Sequence, residues 1–400
     1  MWHLFGPLAL LFALGCGSPP APESAGHSSD AAAAPTPEAA PDPEPDWSPQ
    51  TASPHPAQES SADSAALADC ARTDAALGRV AVTMAARLAD GRRIADTAEL
   101  GHELRRAGAP YVWPRAWSLV GPSVEPRQAA ERAAAWLAKL PPQGERRCGV
   151  GRARGSAGDA VVVLMCDVVA DLLPLPSRAR TGQWLEVRAR IGGASEAKVV
   201  LLGPRGPPKP IPTAMVAGEA RARFTPSEPG AWLVQVLANV DAGPRPVAEA
   251  WVFADAAPPS AFQSESAPGE RAGGADTPAG ALLAMMNAAR AAEGLRPLTR
   301  DAALEEVARQ HAEAMRSRGL LAHDAGEGGV SARLQAAGLT PSSYGENIAR
   351  AENVARAHRV IWASPSHRGN LLDPRYGAVG VAVVEDQSVV WVAQIFATFR

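Results

Sequence analysis

No basic run crosses these 400 residues, and no apolar run is long enough to span a bilayer. The first absence removes the electrostatic footprint of a nucleic-acid binder. The second removes a transmembrane helix: the apolar stretch at the start, Leu8 to Leu14, falls far short of the ~20 residues such a helix needs. Catalytic signatures are missing too, with neither a Gly-x-Ser-x-Gly elbow nor a His-Glu-x-x-His helix. The four cysteines have no histidine at ligand spacing, which excludes a zinc finger.

What remains is ample for packed cores: hydrophobic residues make up 46% of a chain long enough for two to three domains. Charge is distributed unevenly. Between Gly17 and Ala65 lie eight acidic residues and no Lys or Arg, so the whole-chain charge of −3 hides +5 on the remainder. Residues 17–65 are rich in Pro, Ala and Ser, with a single aromatic, Trp47. Such a segment buries too little apolar area to offset its chain entropy, and it is read as a disordered, extended spacer. A second linker is placed at 256–276.

Residues 176–255 alternate apolar and polar, as in Gln183 to Ile191, Ala220 to Phe224 and Ala231 to Leu237. Turn signals separate these runs: Gly203-Pro204, Gly206-Pro207-Pro208, Pro229-Gly230 and Gly243-Pro244. The pattern predicts a β-sandwich of immunoglobulin-like type, a spacer or binding module that holds neither His nor Cys.

The chemistry concentrates near the C-terminus. Ser364-Pro365-Ser366-His367-Arg368-Gly369 runs into Asn370-Leu371-Leu372. Upstream come Gly345-Glu346-Asn347 and a lone His323 at the end of a helical pattern. Imidazole and carboxylate together bind divalent cations or move protons. Ahead of them lie Asn287, Arg290, Gly294-Leu295 and Pro297-Leu298, then Asp301 to Leu304 opening a helix with His311 and Met315. Trp362 precedes the Ser-Pro-Ser-His turn, and Gly380-Val381 leads two strands. In this order the marks resemble the CAP superfamily (cysteine-rich secretory proteins, antigen 5, pathogenesis-related 1; the SCP-like domain) in its short bacterial form, at 277–400. The resemblance implies an α+β fold, an α-β-α sandwich with an open cleft. It places the family's cleft residues on His323, Glu346 and His367. Many members carry a second glutamate three residues after the tryptophan, where this chain has Pro365, so the family's four-residue cleft is incomplete here.

An internal repeat is legible as well. Arg72 to Ala81 parallels Thr299 to Ala308, and Leu104 to Gly108 parallels Leu334 to Gly338. Ala133 to Trp136 sits where His358 to Trp362 sits, and Cys148 to Gly151 parallels Val379 to Ala382. The offsets stay between 226 and about 231 residues. Residues 66–172 are therefore read as a degenerate CAP-like domain without the cleft residues. The N-terminus reads as a secretory signal ending Phe12-Ala13-Leu14-Gly15-Cys16, which resembles the lipobox of bacterial lipoproteins. Cys16 would carry the lipid, placing the protein in the cell envelope, at the outer membrane or cell surface. The alternative is an ordinary signal cleaved near Ala21 and a secreted product. An exported chain permits disulfides. Cys70–Cys148 is the preferred pair, with Cys148–Cys166 across a hairpin as the alternative.

Individual residues have competing roles. His311 falls on the apolar side of its helix, as a satisfied structural histidine does. His323 suits a helix C-terminal cap as well as a cleft. His102 and His358 read as surface residues, and Trp362 reads as core. The favoured function is a binding or interaction module for an unknown ligand, with a divalent ion such as Zn²⁺ on His323 and His367 and Glu346 completing an open set. No catalytic residue is assigned, although His323, Glu346 and His367 are candidates for a His/Glu-dependent hydrolase. Lipid or sterol carriage is a third reading, from the resemblance alone. Contact with a membrane is expected only through the lipid anchor.

Overall fold

A computed structural model describes residues 47–49, 67, 69–240, 243–272 and 274–399. Cys16 and its signal lie outside the described residues, as does most of 17–65. Within 44–400 the chain folds as one compact unit built from three sheet systems.

The first contains β1 (Arg72–Thr73), α1 (Ala75–Ala89), α2 (Thr97–Arg106), β2 (Arg115–Gly121), α3 (Pro126–Leu137), β3 (Glu145–Gly155) and β4 (Gly158–Val168). Its sheet runs β1-β3-β4-β2, with β1 parallel to β3 and the other pairs antiparallel. Asp74 starts α1 by accepting the Ala76 and Leu77 amides on Oδ1, so a side chain satisfies donors the helix itself cannot. The helix then buries Leu77, Val80, Ala81 and Met84 at helical spacing against β4. A Cys70–Cys148 disulfide ties the entry of this domain to β3, while Cys166 is free and buried.

The second is a two-sheet β-sandwich. One sheet joins β10 (Thr213–Val216), β11 (Glu219–Phe224), β7 (Leu185–Ile191) and β5 (Ala170–Leu172); the other joins β6 (Arg178–Ala179), β13 (Gly243–Ala254), β12 (Gly230–Val240), β8 (Ala197–Leu202) and β9 (Lys209–Ile211). Alternation works as read: Leu185, Val187, Ala189 and Ile191 point into a common core with Val234, Val236 and Val252. The boundary differs from the sequence reading, because residues 170–172 pair with β7 and belong to the sandwich. Two outward residues of β12, Leu233 and Gln235, are also buried. The flanking domains cover this face: α2 packs on β13, and a helix of the C-terminal domain packs on β8 and β12.

The third system is the α-β-α sandwich. It holds α4 (Pro278–Ala292), β14 (Thr299–Arg300), α5 (Ala302–Arg318), α6 (Val330–Ala336), β15 (Ser343–Ala351), α7 (Val354–Ala363), α8 (Pro365–Leu371), β16 (Ala378–Asp386) and β17 (Val389–Thr398). The sheet order is β14-β16-β17-β15. Opposite faces of β15 to β17 feed two cores, one with α4, α7 and α8 and one with α5 and α6.

Four surface or linker readings change. Trp47, placed in a free spacer, is buried: its ring meets His102 and Phe253, and its indole N–H donates to the Pro259 carbonyl at 3.2 Å. His102 is therefore covered rather than exposed, and burial holds its pKa down at about 4. His358 is fully buried and donates to the Pro268 carbonyl at 2.8 Å. The segment read as the second linker thus lies packed on α7, with Glu270 paired to Arg359.

Candidate functional site

The site forms where the loop after α5 and the short α8 both meet β15. Gly319 adopts the left-handed conformation and ends α5, so His323, four residues on, is not the helix cap. Glu346 is buried on β15, and His323 Nδ1 lies 2.7 Å from its Oε2. Arg333 Nη2 donates to both Glu346 oxygens, at 2.8 and 3.1 Å, and to the His323 carbonyl at 3.0 Å. Burial alone would raise the Glu346 carboxyl; the His323 hydrogen bond and the charges of His323 and Arg333 outweigh it and hold the group below the usual range.

His311 joins this cluster. It is fully buried, its Nδ1 bonds the Glu327 carboxylate, and its Nε2 lies 3.8 Å from Glu346 Oε2. Arg318 donates to the other Glu327 oxygen at 3.1 Å. His311 thus lies on the buried apolar face, as expected, and at this point two carboxylates meet its ring. Sequence reasoning missed Arg333 and Glu327 altogether. In an arginine-rich chain nothing marks Arg333, and its role depends on a carboxylate 13 positions away.

His367 enters from α8. Its carbonyl accepts from Asn347 Nδ2 at 3.0 Å, while its Nδ1 is buried without a hydrogen-bond partner. Burial, then the nearby His323 charge, push its pKa down to about 3, with Glu346 opposing. The ring is therefore neutral at ordinary pH. Asn370 holds the loop by donating to the Glu346 carbonyl and to Asn347 Oδ1, each at 3.0 Å. Arg368 donates to the Trp362 carbonyl at 2.6 Å and stacks 4.2 Å above the Trp362 ring. Gly345 permits the close approach of Asn370, since a Cβ there would stand 2.9 Å from Asn370 Oδ1 and 2.7 Å from the Tyr376 hydroxyl. Pro365, in the place of the second glutamate, is buried at the start of α8 and adds no donor.

The chemistry follows from these partners. Both Glu346 oxygens are engaged, so Glu346 orients His323 as an outer carboxylate and is not itself a free metal ligand. Among the described residues no group of three or more His, Cys, Asp or Glu has metal-holding geometry. The Ser364 and Ser366 hydroxyls lie 3.3 Å from each other, and Ser364 accepts from Gln235. Neither is hydrogen-bonded to the His367 Nδ1 as a nucleophile would be.

Residues 283–396 match the family model described as CAP, the cysteine-rich secretory protein family. The chain is 30% identical over 115 residues to the uncharacterized protein YkwD of Bacillus subtilis, spanning 28% of this chain and 44% of that protein. Among solved structures, an outer surface protein from Borrelia burgdorferi is similar at 18% identity and a TM-score of 0.29, over 30% of this chain and 90% of that one. An extracellular SCP-domain protein from Bacillus anthracis matches at 16% identity and a TM-score of 0.28, over 57% of this chain and 85% of its own. Sequence and family match together assign the C-terminal domain to the CAP superfamily in its bacterial form.

Proposed function

We propose that this is an exported protein whose CAP domain binds a small ligand in the cleft bounded by His323, Glu346 and His367. The observation that carries the reading is a set of buried nitrogens without protein partners: His367 Nδ1, His311 Nε2 and Arg333 Nη1. A buried polar group left unpaired costs about 1–3 kcal/mol, and three around one carboxylate mark a place where a ligand or water completes the bonding. Arg333 Nη1 donates, and a neutral imidazole donates or accepts with its tautomer, so the set suits a small molecule that carries hydrogen-bond acceptors. A divalent ion held by His323 and His367 would act as part of such a complex.

Titration calorimetry of the full chain with Zn²⁺ tests the site. Weak binding that disappears in the His323→Ala/His367→Ala double variant supports the reading; unchanged affinity in that variant removes it. We further propose that Cys16 carries the lipid anchor, that the sandwich is immunoglobulin-like, and that the first domain is a degenerate copy of the CAP domain. The shared sheet order supports the last of these. Palmitate labelling checks the anchor, since equal incorporation by wild type and Cys16→Ser would rule it out.

A further inference from the structure

The helix that carries His367 has no cap of its own. Ser364 occupies its N-cap position, yet the Ser364 side chain makes no capping bond. The bond comes from another domain. Gln235, fully buried on the outward side of β12, accepts the Ser366 amide at 2.9 Å. Its Nε2 donates to Ser364 Oγ at 3.3 Å and to Glu249 Oε1 at 2.7 Å. Glu249 is in turn held by Arg105 of α2 at 3.0 Å, and its amide donates to the Pro110 carbonyl at 2.9 Å. One path of polar contacts therefore runs from the first domain through the sandwich to the residue before His367.

The geometry suits an amide and no other side chain of that size. The site asks for one acceptor, toward Ser366, and two donors, toward Ser364 and Glu249. A carboxylate would satisfy Ser366 but oppose Glu249. An aliphatic chain would leave the Ser366 amide without its acceptor and take one donor from Ser364 and one from Glu249, beside buried Val200, Leu202 and Leu233. His367 is clamped on both sides, through its neighbour's amide to the sandwich and through its own carbonyl to Asn347.

We propose that Gln235 is a positioning residue for the cleft: the sandwich fixes the first turn of α8 and with it the ring of His367, so that docking of the sandwich and occupancy of the cleft are coupled. This rests on the cleft reading above, but its test needs no ligand. Full-length protein labelled with ¹³C/¹⁵N-histidine, at one neutral pH, gives ring signals assignable with His367→Gln and His323→Gln. In Gln235→Leu the His367 signals are expected to move while those of His323, held by Glu346, stay. Amide exchange across residues 364–372 should quicken roughly two- to tenfold, as loss of one hydrogen bond implies, with β16 and β17 unchanged. Unmoved His367 signals would overturn the proposal. So would a common shift of all the histidines, which would mean that Gln235 only holds the fold. Should the leucine variant fail to fold, Gln235→Asn, shorter by one methylene, reads out the same two quantities. Zn²⁺ titration run alongside separates the two ideas: no binding by the wild type would remove the cleft reading and leave the positioning result standing.

Discussion

The first and last domains present the same sheet with different contents. In each, a two-residue strand runs parallel to a long hairpin whose far strand pairs with an edge strand. In each, an aspartate leaves that short strand, donates its amide to the hairpin (Asp74 to the Cys148 carbonyl at 2.8 Å, Asp301 to that of Val379 at 3.0 Å) and caps the next helix. Counting from those anchors, Met84 stands where the CAP domain has His311. The strand register puts Ala116, opposite Leu164, where it has Glu346, opposite Ile395. The first domain fills with methyl groups and a thioether the space that the last fills with imidazole and carboxylate. The fold therefore does not require the polar cluster, and burying charge seldom stabilises more than apolar packing of like volume. The cluster calls for an explanation outside folding.

Experiments can break or sharpen that comparison. The largest expected effect is one-sided: Cys70→Ser/Cys148→Ser opens a loop of 78 residues and should cost about 4 kcal/mol in the first domain alone. Domain-resolved hydrogen exchange during denaturation would show it, and equal loss in both domains would contradict the assignment. Next come two changes that should hurt alike. A Cβ on Gly149 would lie 2.2 Å from the Gly78 nitrogen, and one on Gly380 2.1 Å from the Leu304 carbonyl carbon. Gly149→Ala and Gly380→Ala should each cost about 3 kcal/mol by urea denaturation, and tolerance of either would undo the parallel. Arg333→Met, which leaves Glu346 with His323 alone, should cost about 2 kcal/mol, with no counterpart in the first domain. The remaining effect is in pH. His102 is held neutral, near pKa 4 against 6.5 unfolded, and the His358 pKa is lowered by burial too. Their contribution is full above pH ~6.5 and is lost as pH falls toward 4, because the unfolded chain takes up the protons first. A melting temperature that stays flat across that window would show these rings to be more hydrated than the packing implies.

Local pattern carried much of this into the sequence. Asp301 followed by Leu304, Val307, Ala308 and Met315 marks a capped amphipathic helix, and the alternation of 185–191 marks a half-buried strand. The Ser-Pro-Ser-His-Arg run marks the short helix that carries His367. The illegible parts share one cause, a partner far along the chain. His102 reads as exposed because its cover is Trp47 and Phe262, both in stretches that look like linker. His358 is covered by Pro268. Gln235 occupies an outward strand position, where a polar residue ordinarily meets water. Arg333 and Glu327 acquire meaning only when a helix and a loop close on β15.

Trp47 has a mechanical consequence. It is wedged where the first domain, the sandwich and the strap before the CAP domain meet, and the Ser177 hydroxyl grips its carbonyl at 2.8 Å. A pull on the chain ahead of it is therefore delivered to the seam between domains and not to the end of any one of them. The sandwich in turn grips the helix of His367 through Gln235, so a load arriving at Trp47 and the setting of that helix meet in the same joint.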